Sequence, residues 1–421
     1  MFEIRDPVHG FISLDPWEWD IINQPAFQRL RRLKQLAWTY YVYPGATHTR
    51  FEHSVGAMHV TSRLYEGVCE RNKDLLNSEF SINEKGIARQ AKVMRLAALL
   101  HDVGHAPFSH PAEAVFPTDP ATGKHFDHEQ YSAAIVEYEL KDVIEDHPFN
   151  RRNYGITVAE IRSVFSEKQT TGKDLVWKLL ISGQMDADRM DYLLRDSLHA
   201  GVSYGRYDLD RIAATITLCR EPETGNFVIG VEDGGTHAVE GLLIARFMMF
   251  TQIYFHKTRI IYDFHLVEAL KEILKSAGGT FPSPTSAESI RQYMDWDDWK
   301  VLGALKESKA GKHGDILLNR AHYRRVYETG EVPDAAELEK FERVYAALRE
   351  FDGVEREAEN SWYKFKKEGI RVRKESSKAG DSVELSTISP VVKGLLGIKQ
   401  RRVYVPPERR EAAIKEIEKM K

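Results

Sequence analysis

The segment RLAALLHDVGHAPFSH, residues 95–110, constrains the chain more than any other. It ends the helical stretch ARQAKVMRLAALLHD (88–102), whose last turns are apolar on every side. A helix apolar all round belongs in the middle of a core, so the rest of the chain must be built around it. Three histidines and an aspartate follow at once, and Gly104 and Pro107 mark the helix stop.

HDVGH allows two chemistries. In the first, His101 and His105 share one helical face and one zinc, with an acid between them, as in metallopeptidases. That needs the helix to run through His105, where Gly104 and Pro107 end it, and the acid is Asp, one methylene shorter than the usual Glu. In the second, the adjacent His101 and Asp102 reach one cation whose other ligands come from elsewhere. RFEHSVGAMHV (50–60) offers His53, and QMDADRMDYLLRD (184–196) offers carboxylates. Two imidazoles and two carboxylates suit Fe, Mn, Zn, Ni or Co and leave positions open for water and substrate. Helical spacing puts Asp188, Tyr192, Asp196 and His199 on one stripe and Asp186 on a more apolar face. It also lets Asp191 pair with Arg195. On the residues alone, these four aspartates stay open.

Composition narrows the setting. The 421 residues are 42% hydrophobic and 29% charged, as in a globular protein with a large core. No run reaches the roughly 18 apolar residues of a membrane span, and the start lacks the layout of a signal peptide. Two cysteines exclude a disulfide framework, so a cytoplasmic location is expected. A net charge of −4 argues against general binding to nucleic acid. The tail KQRRVYVPPERREAAIKEIEKMK alternates its charges, and a solvated amphipathic helix is its plainer reading. Eight of the sixteen histidines lie between His48 and His128.

The chain reads as mainly α. Apolar residues at 27, 30, 33 and 36 predict a helix over 26–36, and Asp127 with Gln130 forms a capping box for a helix from 128. Residues 174–198 read as a long helix interrupted near Gly183, and 239–274 as a central core helix or a pair. SAGGTFPSPTSAES (276–289) reads as a linker. Beyond it, helices near 286–309 and 335–350 precede two strand-like segments, IRVRKESS and RRVYVPPE, and a helix from Pro407. Two parts are expected: a catalytic helical domain over 1–275 and a smaller α+β lobe over 276–421 with an oligomerisation or regulatory role.

RFEHS, HDVGHAPFSH and DADRMDYLLRD, in this order, resemble the HD-domain phosphohydrolases. More narrowly they resemble the dNTP triphosphohydrolase branch, as do DPVHGFISL, QPAFQRLRRLKQL and YPGATHTRFEHS, over about residues 3–265. The resemblance implies an HD-type helical core and metal ligands His53, His101, Asp102 and Asp188. It implies acid–base roles for His105, His110 and His128, with Glu113 orienting His110. Arg50 is placed to hold phosphate; Arg189 and Tyr192 are implied as further phosphate or sugar contacts. Gln35 and Leu36 are implied at the nucleoside, Asp196 among the substrate-binding residues, and Tyr254 under the deoxyribose, penalising a 2′-hydroxyl.

The implied reaction is metal-assisted attack of water on the α-phosphorus, giving a deoxynucleoside and triphosphate, with Mg accompanying the substrate phosphates. Relatives use an activator nucleotide between subunits of a homodimer or homotetramer. Gln28 and Arg31 match that pocket, whereas Asn23 replaces an acid and Phe2 a lysine. The rival readings are a phosphohydrolase of nucleoside mono- or diphosphates, and a nucleotide-sensing binding protein.

Overall fold

A computed structural model of the chain describes residues 1–165, 175–222, 224–360, 369–374 and 382–420. Its centre is the Glu84–Leu100 helix, capped by Asn83, whose side chain accepts from Gly86 N. From Leu96 to Leu100 every residue is buried, and each leucine so placed contributes about 1.5–3 kcal/mol. The Arg50–Arg71 helix packs along it and is flanked in turn by the Ala187–Ala200 helix. Asp127 caps the His128–Tyr138 helix through the expected capping box with Gln130.

The central helix ends at Leu100, and residues 101–104 form a turn. Ser132 of the neighbouring helix closes that turn: Gly104 N donates to Ser132 Oγ (2.9 Å), which donates to His101 O (2.5 Å). The backbones approach so closely that a Cβ on Gly104 would overlap Ser132 N.

The helix expected over 26–36 is cut short. Pro25–Gln28 is helical, Arg29–Arg32 is a 3-10 turn, and the chain then extends. Backbone pairing with the approach to the Arg50 helix pulls it straight: Gln35 N donates to His48 O (3.1 Å) and Arg50 N to Leu33 O (2.9 Å).

The stretch 174–198 breaks as expected, into Leu175–Ile181 and Ala187–Ala200, with Asp186 capping the second helix; residue 174 lies outside the described residues. The stretch 239–274 is a pair, Thr236–Met249 and Lys257–Ile273, joined by a π-type turn at Phe250–Tyr254 and bent by 62°. Among the described residues no single helix is long and apolar enough to cross a membrane. Together the bent pair is long and apolar enough for a broken span, but Val239, Leu243, Ile253 and Leu266 are fully buried in the protein core.

Strands are few. β1 (Phe2–Asp6) and β2 (Gly10–Leu14) form a hairpin. β3 (Ile216–Arg220), β4 (Phe227–Glu232), β7 (Arg371–Arg373) and β8 (Ser382–Glu384) form a sheet in that order, parallel only between β4 and β7. β5 (Arg324–Glu328), β9 (Ile398–Val405) and β6 (Val354–Asn360) form an antiparallel sheet in that order. Both segments expected as strands thus contain one; residues 375–377 of the first lie outside the described residues.

The C-terminal part also carries helices Ala287–Met294, Asp298–Lys306, Gly311–Asn319, Ala335–Leu348 and Arg410–Lys419. Phe341, Val344, Leu348, Val403, Val405 and Ile417 make a small core of their own, while Phe281, Ile290, Tyr293 and Leu305 belong to the main one. The 276–289 stretch is therefore strapped down rather than loose: Phe281 N donates to Val115 O (3.1 Å), and Tyr131 Oη donates to Pro282 O (2.7 Å).

Gly104→Ala tests the closest of these contacts. Its methyl must push the His128–Tyr138 helix away, so a loss of about 1–3 kcal/mol is expected. Urea unfolding measures it; an unchanged midpoint rejects the packing.

Candidate functional site

The helix-to-turn transition at Leu100 turns His101 and Asp102 towards two other helices. His53 comes from the first turns of Arg50–Arg71, and Asp188 from the first turn of Ala187–Ala200. Ligand atoms of His53, His101, Asp102 and Asp188 all lie within 4.8 Å of one another. His53 Nε2 is 2.9 Å from Asp188 Oδ1, and His101 Nε2 is 3.2 Å from Asp102 Oδ1. Both Nε2 atoms are buried with no well-aligned hydrogen bond. The opposite nitrogens are engaged: His101 Nδ1 donates to Ala98 O (2.8 Å) and His53 Nδ1 to Asp191 Oδ2 (2.8 Å). Each ring is thereby locked with its Nε2 lone pair facing the carboxylates, which is how imidazoles are prepared for a cation.

The electrostatics agree. Burial opposes charge on His53, but Asp188 and Asp191 outweigh it and push the ring up to about 10. Burial is likewise outweighed at His101, mainly by Asp102, and the ring is pushed up to about 9. Burial would raise Asp102, but His101, Arg50 and His105 hold it well below the usual carboxylate range; Asp188 is held down by His101 and His53. The cluster attracts positive charge, and a bound divalent cation would take the place of the ring protons.

Behind His53 lies a network the sequence reading missed. The Asp191 carboxylate accepts from His53, from Arg195 Nε and Nη2 (2.8 Å each) and from His9 Nε2 (2.7 Å). Arg195 also donates to Asp6 Oδ2 (2.8 Å), so the DPVHG stretch buttresses the site. Gly56 leaves the room: a Cβ there would overlap both Asp191 and Arg195. Only the Asp191–Arg195 spacing announced this network in the sequence.

Asp102 joins the cluster to a second one. His105 Nε2 lies 3.2 Å from Asp102 Oδ1, and Arg50 Nη1 donates to Asp102 Oδ2. His105 stacks on His128 with ring centroids 3.9 Å apart. Glu113 Oε1 accepts from His110 Nδ1 (2.7 Å) and His128 Nδ1 (3.0 Å). Burial, Arg50 and His128 press His105 well below its ordinary range. Burial opposes charge on His128 as well, but Glu113 raises it above the ordinary value. The stacked pair is thus driven apart in proton affinity, His105 downward and His128 upward.

The backbone carrying His110 is unusual. Phe108 (φ 59°) and Ser109 (φ 67°) are both left-handed, at a cost of order 1–3 kcal/mol each. Four contacts hold them there. Phe108 stacks on Trp38 at 4.7 Å and donates its N–H to Asp298 Oδ1 (2.7 Å); Ser109 Oγ accepts from Arg50 Nε (3.0 Å) and donates to Lys34 O (2.9 Å).

A cavity of about 380 Å³ opens onto both clusters. Gln35, Leu36, Arg50, His105, His110, His128, Tyr192, Asp196 and Tyr254 line it. Asp196 sits two helical turns beyond Asp188 and accepts from Tyr254 Oη (2.6 Å) and His48 Nε2 (2.7 Å). His48 was not foreseen at this position. Arg189 does not line the cavity: its guanidinium donates to Gly183 O and lies 3.6 Å from Asp186, because the capping turn claims it. Asn23, Gln28 and Arg31 lie outside the cavity. Gln28 Nε2 donates to Ile22 O (2.8 Å), Arg31 lies 3.4 Å over the Phe51 ring, and Phe2 stacks on Trp19.

A family model described as the HD domain matches residues 50–195, and one described as the HD associated region matches residues 208–420. The chain belongs to the HD-domain phosphohydrolases. Membership supports a hydrolase and implies a divalent cation, for which the His/Asp cluster is a candidate site. An uncharacterized protein of Methanocaldococcus jannaschii is 38% identical over 326 residues, 77% of this chain and 58% of its own length. The deoxynucleoside triphosphate triphosphohydrolase SAMHD1 of Mus musculus is 29% identical over 386 residues, 81% of this chain and 56% of its own. The chain spans between 51% and 64% of the length of such curated relatives. A solved structure of a hypothetical protein from Aquifex aeolicus superposes with a TM-score of 0.79 at 30% identity, covering 99% of each chain. A phosphohydrolase from Bacteroides thetaiotaomicron, 24% identical, shares the fold with a TM-score of 0.71 over 96% of this chain and 99% of its own.

In this HD phosphohydrolase, Asp191→Asn should weaken metal retention about 10–100-fold by releasing His53. Metal titration followed by mass spectrometry reads it, with a thermal melt alongside. A folded variant that binds metal as tightly as the parent rejects the buttress.

Proposed function

We propose that this HD phosphohydrolase is a metal-dependent dNTP triphosphohydrolase, converting dNTP and water to a deoxynucleoside and triphosphate. One observation carries the reading. A single cavity joins a four-ligand cation cluster to an imidazole–carboxylate group on one side and to the Asp196–Tyr254 pair on the other. That arrangement suits a nucleotide whose reacting phosphorus sits at the cation cluster, with proton-transfer groups beside it and its sugar, which carries the leaving 5′-oxygen, reaching Asp196 and Tyr254. The similarity to the mouse triphosphohydrolase points the same way.

His53, His101, Asp102 and Asp188 hold the cation; when bound, it supplies Lewis acidity at the α-phosphate. Fe, Mn, Zn, Ni and Co all suit these donors, with Mg accompanying the substrate. Arg50, anchored on Asp102 and Ser109, turns its remaining donors to phosphate oxygens. Neutral His105 takes a proton from the attacking water. As the new P–O bond forms and the bond to the 5′-oxygen breaks, His128 gives that oxygen its proton. Glu113 keeps His128 charged, and solvent-facing His110, on the same carboxylate, returns protons to bulk water. Tyr192 meets the phosphates, and Arg189 does so once turned from Gly183. Gln35, Leu36 and Asp196 grip the nucleoside, with the Tyr254 ring under the deoxyribose.

Activation by a nucleotide at Asn23, Gln28 and Arg31, within a homodimer or homotetramer, belongs to the same reading. So does the division at 275/276, with the C-terminal part serving assembly or regulation. Pairwise dNTP mixtures test activation through rate stimulation, and light scattering tests assembly.

Chromatography of the products from all four dNTPs, singly and mixed, with Mn, Mg and Co, tests the reaction. Deoxynucleoside and triphosphate are expected; release of only orthophosphate or pyrophosphate rejects the reading in favour of another phosphohydrolase. Asp102→Asn should abolish hydrolysis in a folded protein, and unchanged hydrolysis sinks the metal assignment. A nucleotide-sensing protein would bind without turnover.

The proton assignment has a pH signature. Glu113 makes His128 hold its proton to a higher pH than an ordinary histidine, so the alkaline fall in kcat should come at a higher pH than an ordinary imidazole would give. His128→Gln should lower kcat by about 10²–10⁴-fold and remove that limb. A variant whose alkaline limb persists assigns the acid elsewhere.

A further inference from the structure

One residue is tied to two stretches of the cavity lining without itself lining the cavity. His48 stands just before the Arg50–Arg71 helix, and its side chain is fully buried. Its carbonyl accepts from Gln35 N (3.1 Å), and Gln35 and Leu36 line the cavity. Its ring donates from Nε2 to Asp196 Oδ1 (2.7 Å), since a carboxylate only accepts. The other oxygen, Oδ2, accepts from Tyr254 Oη (2.6 Å), and Asp196 and Tyr254 line the cavity too. The backbone of His48 thus holds one part of the lining and its imidazole the other.

The imidazole is clamped in that role. It stacks on His199 with ring centroids 4.4 Å apart, and His199 lies in the last turn of the helix that carries Asp196. His199 Nε2 is 3.4 Å from Glu52, which ties the second ring to the Arg50–Arg71 helix. Gly45 lets the chain pass on its way to His48, because a Cβ there would overlap His199 O. His48 Nδ1 is buried without a hydrogen bond, so the ring commits its polar contact to Asp196. The Asp196 side chain is only 2% exposed, and its placement depends on its protein donors rather than on water. Without His48 the carboxylate keeps only its bond to Tyr254, and both side chains gain freedom to turn.

We propose that His48 is a positioning residue for the sugar: acting through Asp196, it sets the preference for a 2′-deoxy over a ribo substrate. His48 makes no contact with substrate. It fixes the Asp196 carboxylate, the carboxylate fixes the Tyr254 hydroxyl, and the hydroxyl fixes the ring beneath the sugar. A ring held at its Oη cannot shift to admit a 2′-hydroxyl, whereas a ring released from that hold can. A steric filter of this kind is only as selective as its wall is rigid. This inference rests on the dNTP reading above.

The experiment is competition in one tube: four dNTPs and four NTPs at equal concentration, with each nucleoside product followed by chromatography. Relative depletion gives ratios of kcat/KM for each dNTP against the NTP of the same base, and the mixture supplies any activator. The wild-type enzyme is expected to favour the deoxy substrates. His48→Leu, which fills the space without a donor, should reduce that preference about tenfold, the worth of one hydrogen bond to a charged group. KM for the dNTPs should rise more than kcat falls, because the phosphorus still reacts at the cation cluster. His48→Gln, whose amide N–H reaches towards the carboxylate, should retain most of the preference. In a Tyr254→Phe background, which lacks the Oη link, His48→Leu should cost little more. A thermal melt certifies folding, and His48→Asn, polar but shorter, replaces the leucine variant if that one does not fold. A folded variant that keeps the wild-type ratio, or slows dNTPs and NTPs equally, makes His48 merely structural and overturns the proposal. A glutamine variant as unselective as the leucine one, or full additivity with Tyr254→Phe, overturns it as well. If the wild-type enzyme consumes both sugars alike, the preference does not exist and the proposal falls while hydrolysis stands. If it consumes no dNTP at all, the dNTP reading itself falls, and sugar selection with it.

Discussion

The Asp102 carboxylate is the interaction on which the rest depends. A buried carboxylate is tolerable only when its charge is answered from several directions. Here the answers come from Arg50, His101 and His105, each delivered by a different stretch of backbone geometry. The same carboxylate contributes an oxygen to the cation cluster and a contact to the imidazole pair. It therefore couples the place where positive charge is held to the place where protons move. The last turn of the helix before it, Leu96 to Leu100, is fully buried, so a rigid core element presents the acid at this depth.

A second constraint is the strained backbone at Phe108 and Ser109. Left-handed residues survive where the surroundings over-determine them. Trp38, Arg50 and the Lys34 carbonyl come from the N-terminal part of the chain, and Asp298 comes from beyond residue 276. Asp298 also accepts from Lys34 N (2.9 Å), and burial pushes its carboxyl up to about 7. The presentation of His110 thus draws on both ends of the chain, and the C-terminal part is structurally committed to the site.

Much of the site was legible in one dimension because local rules governed it. The apolar run to Leu100, the stop at Gly104 and Pro107, the capping box at Asp127 and the i, i+4, i+8 stripe from Asp188 each follow from helical periodicity or backbone sterics. Where the reading strayed, tertiary contacts overrode a local pattern. Residues 26–36 have helical spacing, yet backbone pairing with 48–50 straightens the chain after Arg32. Residues 276–289 have linker composition, yet Phe281 pins them to the core. Arg189 stands beside a ligand in sequence, but the Asp186 cap turns it away from the cavity.

By itself the sequence determined the helical class and the candidate ligand types, since these depend on spacing along one helix or turn; the choice of Asp188 among four aspartates and the acid–base roles came from the family resemblance. Only the tertiary structure decided that Asp191, Arg195, Asp6 and His9 stand behind His53, that His48 holds Asp196, and that Arg259 faces the cavity. These contacts join residues from 58 to 189 positions apart, with Arg259 tied in through the Tyr254 carbonyl and His53 through Asp191. No local periodicity encodes them, because they arise from which helix faces meet once the core has closed.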